Sequence, residues 1–254
     1  MGYVFKVNIA NRGNYGGKRN TSNIKFIVVH YTSNDGDHDE SNANYFKNRI
    51  VKASAHYFVD DDSVTQSVPD DYAAWAVGGS RYPSCSRTGG GSLHGVCTNS
   101  NSISVELCDT VRNGQIYPTN RTIENAIALV KTLMKKYNVP ASRVIRHFDV
   151  TGKECPAYWC GTSAKNALWK TAFHNKLTGN TASSGSASAA STIKWAVTVT
   201  QLRIRKGPGT NYAWTGRYTG KGVFTIVERK NGWGRLKSGA GWISLSTAYG
   251  HKHK

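Results

Sequence analysis

The stretch IKFIVVHYT, Ile24 to Thr32, is a nearly continuous run of apolar and β-branched residues that ends in a polar cluster. A strand with one wet face alternates polar and apolar residues; this run does not, so it suits a strand covered on both sides by other layers. His30 then stands at the carboxyl end of that strand. Working outward, further short strands are predicted at Ala55–Asp60 (AHYFVD), Ser63–Val68 (SVTQSV) and Ile103–Cys108 (ISVELC). Asn42–Lys52 and Thr122–Tyr137 read as helices, and in the second Ile123, Ile127, Val130 and Met134 recur at helical spacing. Another helix is predicted over Ser163–Leu177, with Leu168, Trp169, Ala172 and Phe173 on one apolar stripe. Together these predict an α/β fold, a mixed central sheet flanked by helices.

The pattern changes at Thr178–Ile193, where TGNTASSGSASAASTI contains no charged residue and has the composition of a flexible linker. Beyond it, WAVTV, LRIRKG, GVFTIVERK, GWGRLK and GWISL are short β-type runs separated by Gly, Pro, Asn and Lys, the signature of a small all-β barrel. The 254 residues therefore divide into a larger domain at 1–177, a linker at 178–193 and a small domain at 194–254.

No stretch approaches the roughly 20 consecutive apolar residues of a membrane span. Residues 1–17 carry Lys6 and Arg12 and lack the apolar segment of a secretory signal, so a cytoplasmic location before any release is expected. The net charge of +18 is uneven: residues 1–177 hold 21 Lys/Arg against 14 Asp/Glu, and residues 194–254 hold 12 against one. Such a field favours polyanions. Five cysteines are too few for a disulfide scaffold, which leaves metal ligation open as a role for one of them.

The segment IRHFDVTGKECPAYWC, Ile145 to Cys160, supplies the chemistry to go with His30. It holds His147, Lys153 and Cys155. Imidazole and thiolate are good zinc ligands, and a catalytic zinc takes three protein ligands with a fourth position left for water. His147 and Cys155 converge if the loop between them folds back. Cys155 and Cys160 also allow a small loop disulfide or a redox pair, although their spacing is not that of a C-x-x-C motif. Two other features have weaker readings. His38, in NDGDHDES, reads as part of a solvated acidic loop, and the terminal HKHK is too short and unanchored to form a site. Cys85 and Cys97 flank the glycine-rich SRTGGGSLHGV, which reads as a mobile loop near the cleft, with its two cysteines either paired or inert.

These segments resemble the type 2 zinc amidases, the N-acetylmuramoyl-L-alanine amidases related to T7 lysozyme and the peptidoglycan recognition proteins, over roughly residues 20–177. The resemblance implies one Zn²⁺ held by His30, His147 and Cys155. It implies Glu106, on the ISVELC strand, as the proton acceptor facing the metal, and Lys153, two residues before the last ligand, as the stabiliser of the oxyanion. It also implies substrate contacts from His56 in SAHYFVD and from Trp75 in AAWAVGG. In this chain Ala55 precedes His56 where related amidases have tyrosine, and Ala76 follows Trp75 where they often have histidine. The bond implied is the amide between N-acetylmuramic acid and L-alanine of the stem peptide.

The segment LRIRKGPGTNYAWTGRYTGKGVFTIVERKNGWGRLKSGAGWISL resembles bacterial SH3 domains, through Leu202, Arg203, Arg205 and the turn Gly207-Pro208-Gly209. That resemblance implies wall binding, with Tyr212, Trp214 and Trp233 as contact residues. The pair of domains implies a phage or prophage endolysin that lyses peptidoglycan of Gram-positive walls and reaches it through a holin-type pore. The competing readings are a noncatalytic peptidoglycan-binding protein and a zinc peptidase acting within the stem peptide. A nucleic-acid partner is not expected, since it leaves the His/His/Cys pattern without a purpose.

Overall fold

In a computed structural model, which describes residues 3–178, 193–210, 212–230 and 232–253, the chain divides into two compact units, Met1–Ala182 and Ser183–Lys254. The linker expected over 178–193 lies, except for its two end residues, outside the described residues. Ile193 belongs instead to the first strand of the second unit, with its side chain buried.

The first unit runs β1 (Val4–Val7), β2 (Tyr15–Lys18), β3 (Phe26–Tyr31), α1 (Asp39–Asn48), β4 (Tyr57–Val59), β5 (Ser63–Gln66), β6 (Tyr72–Ala74), α2 (Cys85–Thr88), β7 (Ser102–Leu107), α3 (Asn120–Tyr137), β8 (Val144–Arg146), α4 (His147–Thr151) and α5 (Ser163–Leu168). Six strands form one sheet in the order β1-β5-β4-β7-β3-β8. β3 runs parallel to both neighbours, β7 and β8, while β4 and β5 pair antiparallel, so the sheet is mixed as expected. β2 and β6 form a separate antiparallel pair.

The apolar run at β3 has a physical explanation in its two faces. Ile27 and Val29 pack with Ile103, Val105 and the α3 side chains Ile123 and Val130. Phe26 and Val28 pack on the opposite side with Ile145, Val150 and Val77. Each buried aliphatic side chain contributes roughly 1.5–3 kcal/mol through removal from water, and neither face tolerates a polar residue until the strand end.

α3 begins where the Thr119 hydroxyl accepts the Thr122 N–H at 3.0 Å, and it stops at Asn138, whose φ of 52° is left-handed. The helix expected over Ser163–Leu177 is ordinary only to Leu168. Trp169–Phe173 then form a π turn and His174–Lys176 a 3₁₀ turn. The wider turn shifts the helical phase: Trp169 and Phe173 stack in the core at 5.1 Å, whereas Leu168, expected on the same stripe, is 47% exposed.

The second unit comprises β9 (Ile193–Val197), β10 (Leu202–Arg205), β11 (Trp214–Thr219), β12 (Gly222–Lys230), β13 (Trp233–Leu236), β14 (Trp242–Ser244) and β15 (Gly250–His253). They form a seven-stranded sheet in the order β11-β10-β14-β13-β12-β9-β15, in which neighbouring strands pair antiparallel. Ile193, Trp195, Leu202, Ile204 and Ile226 make its core. The terminal histidines are not loose, because His251 and His253 lie on β15, paired with Ala196 and Lys194 of β9. No helix among the described residues is long and apolar enough to cross a membrane.

Candidate metal centre

Three segments meet at the carboxyl ends of β3 and β7 and just past β8. Side chains alternate along a strand, so His30 continues the face of Phe26 and Val28 at the point where the packing of that face ends. In the β3–β7 register His30 stands opposite Glu106. Parallel pairing at equal register puts both side chains on one face, and the His30 Nδ1 to Glu106 Oε1 distance is 3.9 Å.

His147 is the first residue after β8 and the first of α4. Its position is fixed by its neighbour Arg146, which is nearly buried and fully engaged. Arg146 makes a forked pair with Asp149 (Nε–Oδ2 3.0 Å, Nη2–Oδ1 2.7 Å), and its Nη1 donates to the Trp159 carbonyl and Asn166 Oδ1, both at 2.6 Å. The chain then reverses at Gly152, whose φ is 84°. A Cβ there would lie 2.1 Å from Cys85 Sγ, so only glycine fits. The Phe148 N–H donates to the Cys155 carbonyl at 3.0 Å and closes the loop. This return brings Cys155 back beside His147, the folding-back that the eight-residue spacing requires.

The result is a compact donor cluster. One ligand atom from each of His30, His147 and Cys155 lies within 4.8 Å of the others. Cys155 Sγ stands 3.8 Å from His30 Nδ1, and the two imidazole centroids are 4.8 Å apart. Nitrogen and sulfur ligands at about 2.0 and 2.3 Å around one tetrahedral ion stand roughly 3.5 Å apart, so the observed set fits zinc. His30 Nε2 and Glu106 Oε2 are buried with no hydrogen-bond partner, an arrangement that costs free energy unless something else occupies the space.

Electrostatics favour the ligand forms of the imidazoles. Burial, then the positive potential of His147 and Lys153, holds His30 well below the usual histidine range; burial and Lys153 bring His147 down to about 4. Both are neutral at neutral pH, as a metal requires. Burial, then the charge of Glu106, raises the Cys155 thiol well above its ordinary value, so a metal must displace its proton. Burial pushes Glu106 up to about 8 against the pull of Lys153.

The donor cluster lies in a cleft of about 820 Å³, whose walls include Trp75, Lys153, Asp37 and Tyr45. Trp75 is held by Ser54, whose hydroxyl accepts its N–H at 3.1 Å and whose own N–H donates back to the Trp75 carbonyl. His56 does not join them. It is 0% exposed; its Nδ1 accepts the Ser104 N–H at 3.0 Å, and its Nε2 lies 2.9 Å from Arg19 Nη2 and 3.1 Å from the Tyr72 carbonyl. With no surface and both nitrogens engaged, it ties β4 to β7 and β6, and the substrate contact expected of it is corrected to a structural role. Cys155 and Cys160 are both free thiols, as are Cys85 and Cys97.

Two contributors escaped the sequence reading. Arg146 positions His147, and its one local signal is an Asp three residues later at a helix start. Tyr158 packs edge-on to Tyr31 at 5.4 Å with its hydroxyl buried and unpartnered.

In the second unit Tyr212 and Trp214 are 39% and 42% exposed. The Tyr212 ring covers Gly207, where a Cβ would come within 2.2 Å of it. Trp214 lies tilted against Tyr218 with ring centroids 5.1 Å apart, and the Arg203 guanidinium stands 5.5 Å over its ring. Trp233 is not part of this group: it sits on β13, separated from β10 and β11 by β14.

Residues 20–158 match the family described as N-acetylmuramoyl-L-alanine amidase. The chain is 32% identical over 180 residues to the N-acetylmuramoyl-L-alanine amidase CwlL of Bacillus licheniformis, covering 66% of this chain and 47% of that protein. It is 31% identical to BlyA, an N-acetylmuramoyl-L-alanine amidase of Bacillus subtilis, covering 64% of this chain and 44% of that one. The chain thus spans about half the length of these curated relatives. Among solved structures it superposes on PlyL with a TM-score of 0.53 at 27% identity, covering 71% of this chain and 99% of that one. The PlyG catalytic domain gives 0.54 at 26% identity, covering 73% and 99%. With the match spanning more than half of its residues, the chain belongs to the N-acetylmuramoyl-L-alanine amidase family.

Proposed function

We propose that the chain is a zinc-dependent N-acetylmuramoyl-L-alanine amidase that cleaves bacterial peptidoglycan between muramic acid and L-alanine, and that its second unit is an SH3-like wall-binding domain. The observation that carries the reading is the convergence of His30, His147 and Cys155 within 4.8 Å beside an unpartnered glutamate oxygen. Those three residues would hold the ion, and when bound it supplies Lewis-acid polarisation of the amide carbonyl, a lowered pKa for water and a positive charge that favours ionised Glu106. Glu106 then accepts the proton of the attacking water and returns it to the alanine nitrogen as the C–N bond breaks. Lys153, on the cleft wall, places its ammonium beside the oxygen on which negative charge develops. Trp75 supplies an apolar wall for the substrate.

Support for the substrate class comes from the relatives, which are named as amidases of Bacillus, and points to Gram-positive walls. Support for the second unit's role comes from its 12 basic residues against one acidic residue and from the exposed Tyr212 and Trp214. Trp233, half-buried on another strand, would act apart from them.

Incubating the protein with purified Gram-positive walls tests the reading. New alanine amino termini are expected, lost on chelation and restored by zinc, without new reducing ends on the glycan. Amino termini other than alanine would favour a stem-peptide peptidase, and turnover that persists after complete zinc removal would defeat the mechanism.

A further inference from the structure

A second cleft, of about 700 Å³, is also lined by Trp75. It shares Trp75, Ala76, His147 and Lys153 with the metal cleft, so one extended ligand can occupy both. Its charge is one-sided. Lys52, Arg81 and Lys153 line it and no aspartate or glutamate does, whereas the metal cleft holds Asp37 and Glu106.

The donors are mounted on fixed backbone. Asn14, fully buried, accepts the N–H groups of Val51 and Lys52 on its Oδ1 at 2.7 and 3.1 Å and donates from Nδ2 to the Phe46 and Arg49 carbonyls. This holds Lys52 in a left-handed conformation with φ of 57°. Arg81 lies shortly before Cys85 and the glycine-rich insertion, and the stretch from Arg81 through that insertion is tied down and not the loose loop that the insertion's composition predicts. The Tyr82, Gly91 and Leu93 N–H groups donate to the carbonyls of Thr151, Phe148 and Asp149 on α4, at 2.7, 2.9 and 2.9 Å. Arg81 itself spends Nε on the Gly91 carbonyl at 3.2 Å, which steadies its guanidinium. Asn99 uses Oδ1 to accept the Ala76 and Val77 N–H groups, at 3.0 and 2.8 Å, so the group it offers the cleft is its Nδ2 donor.

We propose that this second cleft is an anion subsite that binds the carboxylate of the stem-peptide residue following alanine, with Arg81 and Lys52 as its specificity-determining residues. The proposal rests on the amidase reading, which fixes the scissile amide at the metal cleft. From that amide the substrate extends two ways. The glycan side is uncharged, because the muramic carboxyl is itself consumed in the amide, while the peptide side carries free carboxylates. A cleft with cations and neutral donors but no acid matches the peptide side and not the sugar. Walls in which that carboxylate is amidated present a neutral group to the same cations.

The experiment compares two soluble muramoyl peptides, identical except that one carries the free second-residue carboxylate and the other its amide. Binding to the metal-free protein is followed by calorimetry, and hydrolysis by the zinc-loaded protein gives kcat and KM. Wild type is expected to bind the acid form about tenfold more tightly, in line with loss of a charge-assisted contact in the amide. Arg81→Gln and Lys52→Gln should each raise KM for the acid form and together remove the preference. Lys131→Gln, an exposed charge on α3, should leave the preference in place. Equal binding of the two peptides by wild type overturns the subsite, as does equal loss of both in Arg81→Gln. Displacement of the acid peptide by poly(glycerol phosphate), dependent on Arg81, would assign the cleft to wall phosphate instead and likewise overturn it. Failure of the amidase reading is separate: neither peptide would be hydrolysed, while the calorimetric preference would still report on the cleft.

Discussion

At Cys155 a buried thiol, held protonated by burial and by the charge of Glu106, must become a thiolate to serve as a ligand. Serine at this position keeps the size but offers a far weaker ligand, so Cys155→Ser is expected to lose bound zinc and turnover together. Glu106→Gln keeps the three ligands and removes the proton acceptor; it should retain zinc in metal analysis while turnover falls by about 10²-fold or more. If the two variants behave alike in both assays, the separation of ligand from base is wrong. The candidates His30, His147 and Cys155 were legible in the sequence through the family resemblance of two short segments, each of which carries its signal locally, and the structure brings the three together. The role of His56 was not, since it is set by Arg19, Tyr72 and Ser104, which the fold brings to it from distant segments. Arg146 was hidden for a similar reason, because two of its partners, Trp159 and Asn166, lie beyond the loop.

Elements are joined by a polar knot at Asp70. Its carboxylate accepts from Tyr57 on β4 at 2.7 Å, from Lys136 near the end of α3 at 3.0 Å, and from the adjacent Tyr137 hydroxyl. Burial alone would raise its pKa, but the hydrogen bonds from Tyr137, Tyr57 and Lys136 outweigh burial and hold it below the ordinary aspartate value. Since the folded value is the depressed one, the contribution to stability is complete above the unfolded value and disappears as pH falls through the folded one. Asp70→Asn is therefore expected to lower Tm at neutral pH and to flatten the further loss below about pH 4, measured by calorimetry across pH. An unchanged acid limb would show that the knot contributes nothing. Elements with a buried stripe were legible, as for α3. β1 was not, because Val4, Phe5 and Val7 are 60%, 52% and 61% exposed on an edge strand and form no pattern of burial. The break at Leu168 was also hidden, since a π turn alters the periodicity that the stripe assumes.

For the whole molecule, charge and domain division set what the two units accomplish together. On the proposed reading, the second unit's basic excess would draw it to an anionic wall, and its covalent connection to the first unit would convert that attraction into a higher local concentration of the first unit near its bonds. Removal of residues 193–254 is expected to slow lysis of intact walls by about tenfold or more, with the gap narrowing as salt rises, while cleavage of a soluble muramoyl peptide stays within about twofold. Equal losses on both substrates would mean that the second unit serves the first unit's stability and not its targeting. The change in composition at Thr178 was legible as a division of the chain, whereas the sheet order beyond it was not, because strand pairing there depends on contacts across the whole unit. One consequence of that order concerns biosynthesis. β9 leaves the ribosome before the rest of its sheet, yet its two flanks are supplied by β12 and β15. Its hydrogen-bonding groups stay unmet on one side until His253 has emerged, so nascent chains still short of that point present a bare strand edge open to chaperones and to one another.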